Sequence, residues 1–175
     1  MSKKNPLLSS TLFIVRDTIL KRTKIITYGD GKKMNLTKGE IAYRNFLSGM
    51  NCSESVVMAF KDEIPVDEDV LKSMVTGLGA GLGRQRLVCG AVSGMTIVIS
   101  ALNPTLSKAE IYALVQKACA DFKAGTGSLI CGELLSGITA DSTPVPSERS
   151  GEYYRKRPCP ELCRLAADIA AKYVG

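Results

Sequence analysis

Residues 87–107 read LVCGAVSGMTIVISALNPTLS, a stretch of 21 residues without a charged side chain. Two glycines, three serines and the Asn103-Pro104 break argue against a membrane span, although the length would allow one. A helix is expected over 89–102, although β-branched residues in this stretch would also suit a strand. Four small residues between positions 90 and 94 would let another backbone approach closely. We therefore expect a buried core helix.

Capping and stop signals divide the rest of the chain into further helices. The spacing of a capping box occurs three times, in Thr37-Lys38-Gly39-Glu40, Asn51-Cys52-Ser53-Glu54 and Ser107-Lys108-Ala109-Glu110. Further helices are predicted over 67–76, 128–135 and 160–174, and in the first of these Val70, Met74 and Val75 are spaced for an inward face. No alternating pattern long enough for a strand competes. The expected fold is all-α, a single compact bundle-like domain of about six helices.

Two segments interrupt this helical pattern. Gly77, Gly79, Gly81 and Gly83 disfavour a helix and predict a Gly-rich loop just before Cys89. The segment lacks the GxGxxG order and the Lys-Ser/Thr of a phosphate-binding loop, so nucleotide binding is a weak interpretation. Residues 138–158 contain Pro144 and Pro146 and predict a long loop, which is usually functional or disordered.

The composition excludes several classes of site. The chain has no His and no Trp, and only 6% of its residues are aromatic. Catalytic Ser-His or Cys-His pairs, imidazole zinc sites and CxxCH haem attachment are therefore excluded, and a base-stacking nucleic-acid platform is disfavoured. Six cysteines remain as the chemically distinctive residues.

Positive charge is concentrated at the front of the chain. Residues 1–38 carry a net charge of +7, whereas the other 137 residues sum to −1. We expect a basic N-terminal extension over 1–35 and a helical four-cysteine domain over 36–175. Arg16 and Asp17 follow the apolar segment Pro6–Val15 without a cleavage site, which argues against a signal peptide and predicts a cytoplasmic protein. In a reducing cytosol the cysteines are expected to be ligands or redox thiols.

The helix pattern sorts the six cysteines into two groups. Those predicted to lie at helix starts, with Cys159 as an N-cap, are Cys52, Cys89, Cys131 and Cys159. There the unpaired N–H groups and the helix dipole would stabilise thiolate, the form that binds metals and attacks disulfides. Cys119 and Cys163 fall inside helices, where a buried cysteine acts as a small apolar side chain. Cys163, four residues after Cys159, is a secondary candidate to replace that ligand.

Residues beside Cys89 would support such a site. Gly81 and Gly83 could present backbone N–H groups to thiolates or cluster sulfurs, and Arg84 and Arg86 would add positive charge. The alternative interpretation of this segment is a flexible turn.

Several stretches together resemble a known family. They are Phe46–Cys52, Gly81–Gln85, Cys89-Gly90-Ala91-Val92-Ser93-Gly94, Gly127–Leu135 and Cys159–Leu162. The chain resembles the C_GCAxxG_C_C family of small redox-active proteins over residues 36–174. The family's four cysteines fall on Cys52, Cys89, Cys131 and Cys159.

The resemblance implies a redox function and has limits. A similar domain in split-Soret cytochromes is associated with an iron–sulfur centre, but this chain lacks the residues that would attach their haems. Cys119 and Cys163 are additional to the family pattern. The basic extension lies outside the resemblance, which therefore says nothing about it.

We expect an electron-transfer or redox-sensing protein in which the four helix-start cysteines bind an iron–sulfur cluster, most simply [2Fe–2S]. Whether it is an oxidoreductase enzyme is open. One alternative uses the same thiols without metal for disulfide exchange or sulfur transfer, and another is a structural zinc site with four thiolates. The expected partner is a redox protein or a small sulfur substrate, with a homodimer left open. Neither nucleic acid nor a membrane span is expected.

Overall fold

The computed structural model describes residues 24–27, 33–138 and 143–175. In those residues eight α-helices follow one another: α1 Lys38–Leu47, α2 Cys52–Val57, α3 Glu68–Thr76, α4 Gly90–Ala101, α5 Lys108–Thr126, α6 Cys131–Leu134, α7 Gly151–Lys156 and α8 Cys159–Tyr173. A single 3-10 turn, Met58–Phe60, extends α2. The predicted all-α class is confirmed. None of the described helices is long and apolar enough to cross a membrane.

A short hairpin precedes the helices. Strand β1, Lys24–Thr27, pairs antiparallel with β2, Lys33–Leu36, so that Lys24 lies opposite Leu36. The sequence did not predict this hairpin, because each strand is only four residues long and shows no extended alternation. The available signal was the turn-forming run Tyr28-Gly29-Asp30-Gly31. Most of the predicted extension 1–35 lies outside the described residues, and the boundary at residue 36 stays a prediction.

Two of the three predicted capping boxes are confirmed. The Asn51 Oδ1 atom accepts hydrogen bonds from the Ser53 and Glu54 N–H groups at 3.0 and 3.1 Å, and the Glu54 carboxylate accepts one from the Asn51 N–H at 2.9 Å. Ser107 and Glu110 make the same reciprocal pair at the start of α5. The first box makes Cys52 the first residue of α2, as predicted.

Helix α8 packs against α1, α4, α2 and α5, and α4 also packs against α2 and α5. The buried face of α4 includes Val92, Met95, Val98 and Ile99, so the charge-free stretch is a core helix as expected.

The predicted inward face of α3 is partly wrong. Val70 and Met74 are 49% and 68% exposed, whereas Leu71 and Val75 are buried. Leu71 and Val75 are spaced i, i+4 and form the stripe that faces the core, which rotates Val70 and Met74 towards solvent. The 138–158 loop also differs from expectation, because α7 lies within it and Ser150 caps that helix.

The two glycines at the start of α4 allow close contact with the elements that carry Cys52. A Cβ atom at Gly94 would lie 3.0 Å from both the Ser53 carbonyl oxygen and the Val56 Cβ atom of α2. A Cβ atom at Gly90 would lie 2.9 Å from the Leu78 carbonyl oxygen and 3.1 Å from the Cys52 Cβ atom. The predicted close backbone approach is confirmed, and it lies between α4 and α2.

We expect Gly94→Ala to lower the free energy of unfolding by about 1–3 kcal/mol, because the added methyl group meets a backbone oxygen that cannot easily move. Urea denaturation measures the change. Gly77→Ala is the control, since Gly77 has a φ of −65° and open space around it. Equal stability of the two variants would contradict close packing at Gly94.

Candidate functional site

Cys89 and Cys131 are brought together by a short backbone pairing. Val88 and Ile130 form an isolated antiparallel β-bridge. The Cys89 N–H donates to the Leu129 carbonyl oxygen at 2.8 Å, and the Cys131 N–H donates to the Leu87 carbonyl oxygen at 2.6 Å. Adjacent side chains alternate across an extended segment, so the exposed Val88 and Ile130 leave both cysteines facing inward.

Cys52 and Cys159 come together from two helix starts. Cys52 is the first residue of α2 and Cys159 the first residue of α8, and their thiols share a hydrogen bond. The prediction that Cys159 is an N-cap is wrong, because Pro158 holds that position. Pro160 is tolerated in the first turn, where a backbone N–H has no helical acceptor, so the helix begins before it.

Cys163 lies closer to the site than expected. Because Cys159 is helical, Cys163 follows it at i+4 on the same face of α8. The Cys163 thiol is fully buried, shares a hydrogen bond with the Cys52 thiol and donates to the Cys52 carbonyl oxygen at 3.6 Å. Cys119, on α5, is half-buried, and its pKa is raised by burial.

Three of the four predicted cysteines line one cavity of about 40 Å³. Its walls are formed by Cys52, Ala80, Arg84, Arg86, Cys131, Leu135, Tyr153, Arg157 and Cys159. Cys89 lies near enough to Cys131 and Cys159 for their negative charge to raise its pKa, after the larger effect of burial. The structure therefore brings all four cysteines close together, beside three guanidinium groups.

Four members of this wall were not predicted from the sequence as site residues: Ala80, Leu135, Tyr153 and Arg157. The signal available for Arg157 was its place two residues before Cys159 in a basic run, whereas nothing local marked Tyr153. Of the predicted supporting residues, Arg84 lines the cavity, and Arg86, which also lines it, donates a hydrogen bond to the Cys131 thiol.

The Gly-rich segment forms a left-handed turn and not a right-handed helix. Positive φ angles occur at Ala80, Gly81, Leu82, Gly83, Arg84 and Arg86. A left-handed conformation costs roughly 1–2 kcal/mol for each residue other than glycine. A Cβ atom at Gly81 would lie 2.7 Å from the Cys131 Cβ atom and 2.8 Å from the Leu87 nitrogen, so this glycine also allows contact with a site cysteine. A Cβ atom at Gly83 would meet only the Gly77 carbonyl oxygen, at 3.9 Å.

Burial dominates the acidity of the thiols. It raises the pKa of Cys89 to about 12, although the Ala91 and Val92 N–H groups at the start of α4 hydrogen-bond to the sulfur and oppose the rise. Burial also raises the pKa of Cys131, against the opposing charge of Arg86. The expected stabilisation of thiolate by a helix start is thus present at Cys89, but burial outweighs it.

Thiol–thiol hydrogen bonds and burial together set the pKa values of Cys159 and Cys52. The hydrogen bond that Cys159 donates to Cys52, followed by burial, raises the pKa of Cys159. That same bond lowers the pKa of Cys52, but the hydrogen bond to Cys163 and burial outweigh it and leave the pKa well above its usual value. The cysteines are therefore neutral thiols in this state, which avoids burying thiolate charge.

In residues 24–27, 33–138 and 143–175, no three Cys, Asp or Glu side chains are arranged as a group that could hold a metal ion. All six cysteines are free thiols. Thiol hydrogen bonds link Cys159, Cys52 and Cys163, whereas Cys89 accepts from backbone N–H groups and Cys131 accepts from Arg86.

A model of the family described as "Putative redox-active protein (C_GCAxxG_C_C)" matches residues 50–173. The chain belongs to this family. The C_GCAxxG_C_C match contains both the left-handed turn and the cavity and leaves out the hairpin. No curated protein and no solved structure matches the chain. The resemblance inferred from the sequence is confirmed, and with it the coarse assignment to a redox-active family.

Gly81→Ala is expected to destabilise this C_GCAxxG_C_C domain by about 3 kcal/mol or more, since it combines left-handed strain with a clash at Cys131. Gly83→Ala is the matched control, because Gly83 has a φ of +57° but open space, and its cost should be about 1–2 kcal/mol. Urea denaturation of both variants separates strain from contact. Equal losses would show that the approach to Cys131 contributes nothing.

Proposed function

We propose that this chain is a redox protein in which Cys52, Cys89, Cys131 and Cys159 bind an iron–sulfur cluster, most simply [2Fe–2S]. The observation that carries the proposal is that three of these thiols and three arginines line one small cavity. Membership of a redox-active family supports the assignment of a redox function.

The chemistry of the residues fits such a group. Four thiolates are the usual donor set for a [2Fe–2S] centre, which carries a net negative charge and supplies one-electron transfer when bound. Arg84, Arg86 and Arg157 surround the thiols and would offset that charge in a site with little access to water. A hydrogen bond from Arg86 to the Cys131 sulfur is of the kind that tunes reduction potentials.

The present hydrogen bonds set a condition on binding. Metal ligation displaces the thiol protons, so the elevated pKa values make binding favour higher pH. We expect the Cys159–Cys52 hydrogen bond to be lost when metal–sulfur bonds form. The neutral thiols would then be the stable form of the empty protein, since burial disfavours the thiolate charge.

The decisive experiment is purification without oxygen followed by measurement of iron, acid-labile sulfide and visible absorbance. We expect equal iron and sulfide contents and a coloured protein that is bleached by reduction. A colourless protein that also resists reconstitution with iron and sulfide would overturn the proposal. Stoichiometric zinc without a redox response would instead establish the structural zinc alternative.

A second candidate function uses the Cys52–Cys159 pair without metal, and the hydrogen bond between their thiols favours it. One thiolate would attack a partner disulfide, releasing one partner thiol and forming a mixed disulfide. The second cysteine would then displace the remaining partner thiol, so the partner gains two electrons and this chain forms a disulfide. Both thiols are less than 10% exposed, which limits access for a disulfide substrate.

Alkylation of the metal-free reduced protein tests this second function. A thiol that exchanges with disulfides should be labelled much faster than the half-buried Cys119, with a rate that rises through its own pKa. Peptide mass spectrometry identifies the labelled residue. If Cys52 and Cys159 react more slowly than Cys119, thiol exchange in this state is contradicted.

Single replacement of Cys52, Cys89, Cys131 or Cys159 by Ser is expected to abolish the cluster signature while most of the helix content remains. Each change removes one ligand from a set of four, whereas the core is built from aliphatic side chains. Iron content, visible absorbance and far-ultraviolet circular dichroism measure the two effects.

Cys119→Ala is the matched control and should keep the cluster at a cost of about 1 kcal/mol in stability. Cys163→Ala tests whether the neighbour of Cys52 is a ligand. If Cys163→Ala loses the cluster and Cys159→Ser keeps it, Cys163 is the fourth ligand and the assignment of Cys159 is wrong.

A further inference from the structure

A second, larger cavity lies against the cysteine site. Its volume is about 340 Å³, and Cys52 forms part of its wall. The remaining walls come from the ends of α1 and α3, the residue before α2, the left-handed turn, the segment 144–149, and α7 with Arg157. This volume suits a small molecule, since ligand pockets begin at about 300 Å³.

The roof of this cavity, residues 144–149, is held at both ends by arginines. Arg84 donates from Nε to the Thr143 carbonyl oxygen at 2.8 Å and from Nη1 to the Ser147 hydroxyl at 3.3 Å. Arg149 donates to the carbonyl oxygens of Phe46 and Met50, the latter at 2.8 Å. The roof is therefore a positioned part of the site.

The charge of the cavity is one-sided. Arg84, Arg149 and Arg157 line it, and no Asp or Glu is among the described residues that do. Arg149 binds main-chain oxygens, which leave its charge uncompensated, and Arg157 stacks 4.7 Å from the centre of the Tyr153 ring. In the described part of the chain neither of these two pairs with a carboxylate. Glu54, on α2, is engaged with the Asn51 N–H and the Thr76 hydroxyl.

Apolar surface lies beside these charges. The Phe46 ring contacts the Arg149 guanidinium at 4.3 Å from its centre, and Tyr153 stands between Arg149 and Arg157. Pro144 and Pro146 add further apolar wall. A ligand that matches both features has an acidic group and a compact apolar body.

We propose that this cavity binds a small organic anion, with its acid group at Arg157 and Arg149 and its apolar body against Tyr153 and the two prolines, next to Cys52. A guanidinium binds a carboxylate or phosphate through directed, charge-assisted hydrogen bonds. The inference goes beyond the proposed function, because it requires the cavity and its charges but no cluster.

The test is isothermal titration of the full chain, purified without oxygen, with benzoate and with its neutral counterpart benzamide. Benzoate should bind at millimolar concentration or tighter, and benzamide at least about tenfold more weakly, since a charged hydrogen bond is worth about that factor. Arg157→Gln should weaken benzoate binding about tenfold and leave benzamide unchanged, and Arg157→Lys should recover part of the loss.

Arg155→Gln is the matched control, because Arg155 is an exposed neighbour that does not line this cavity. It should bind benzoate as the wild type does. Circular dichroism establishes that each variant is folded. The inference is overturned if benzoate does not bind at millimolar concentration, if benzamide binds equally well, or if Arg155→Gln and Arg157→Gln have the same effect.

Iron and sulfide analysis of the same samples keeps the two proposals separate. Charge-selective binding to a protein that contains no iron and also resists reconstitution would overturn the cluster and support the anion site. A cluster-loaded protein with no preference for benzoate over benzamide would support the cluster and overturn the anion site.

Discussion

Close approach of backbones around the cysteines is the constraint on which this site depends. Gly90 brings the start of α4 against Cys52, and Gly81 brings the left-handed turn against Cys131. A side chain at either position would occupy the space now filled by a cysteine or a carbonyl group. The glycines of the CGAxxG segment are therefore explained by packing, and the cysteines beside them carry the chemistry. This division of roles accounts for a motif in which one cysteine is followed by small residues.

Burial and charge oppose each other at the same place. The fold removes the thiols from water, which favours their neutral form, and then surrounds them with guanidinium groups, which favour negative charge. Hydrogen bonds among Cys159, Cys52 and Cys163 engage the thiol protons in this neutral state. The site thus has a stable uncharged state and a positive surrounding suited to a negatively charged one. A group that replaces protons with metal ions would use both properties.

Local signals in the sequence predicted the helices and placed Cys52, because capping boxes and apolar spacing act within a few residues. The pairing of Cys89 with Cys131 could not be predicted in this way, since it depends on hydrogen bonds between segments about forty residues apart in the chain. Tyr153 and Arg157 were missed for the same reason. The N-cap error at Cys159 was smaller and came from placing Pro160 at the first helical position when it occupies the second. Val70 and Met74 show that an apolar spacing can fit two faces of one short helix.

The left-handed turn has a consequence for chirality. From Ala80 to Arg84 the backbone follows a short piece of mirror-image helix within a protein of L-amino acids. A D-amino acid adopts these angles without the steric conflict that its L-form meets. In a chemically synthesised chain, D-alanine at position 80 would therefore relieve the backbone strain. Replacing Ala80 by a larger L-residue would keep that strain or increase it. The turn beside Cys131 is a place where handedness, more than side-chain identity, limits which residues the fold accepts.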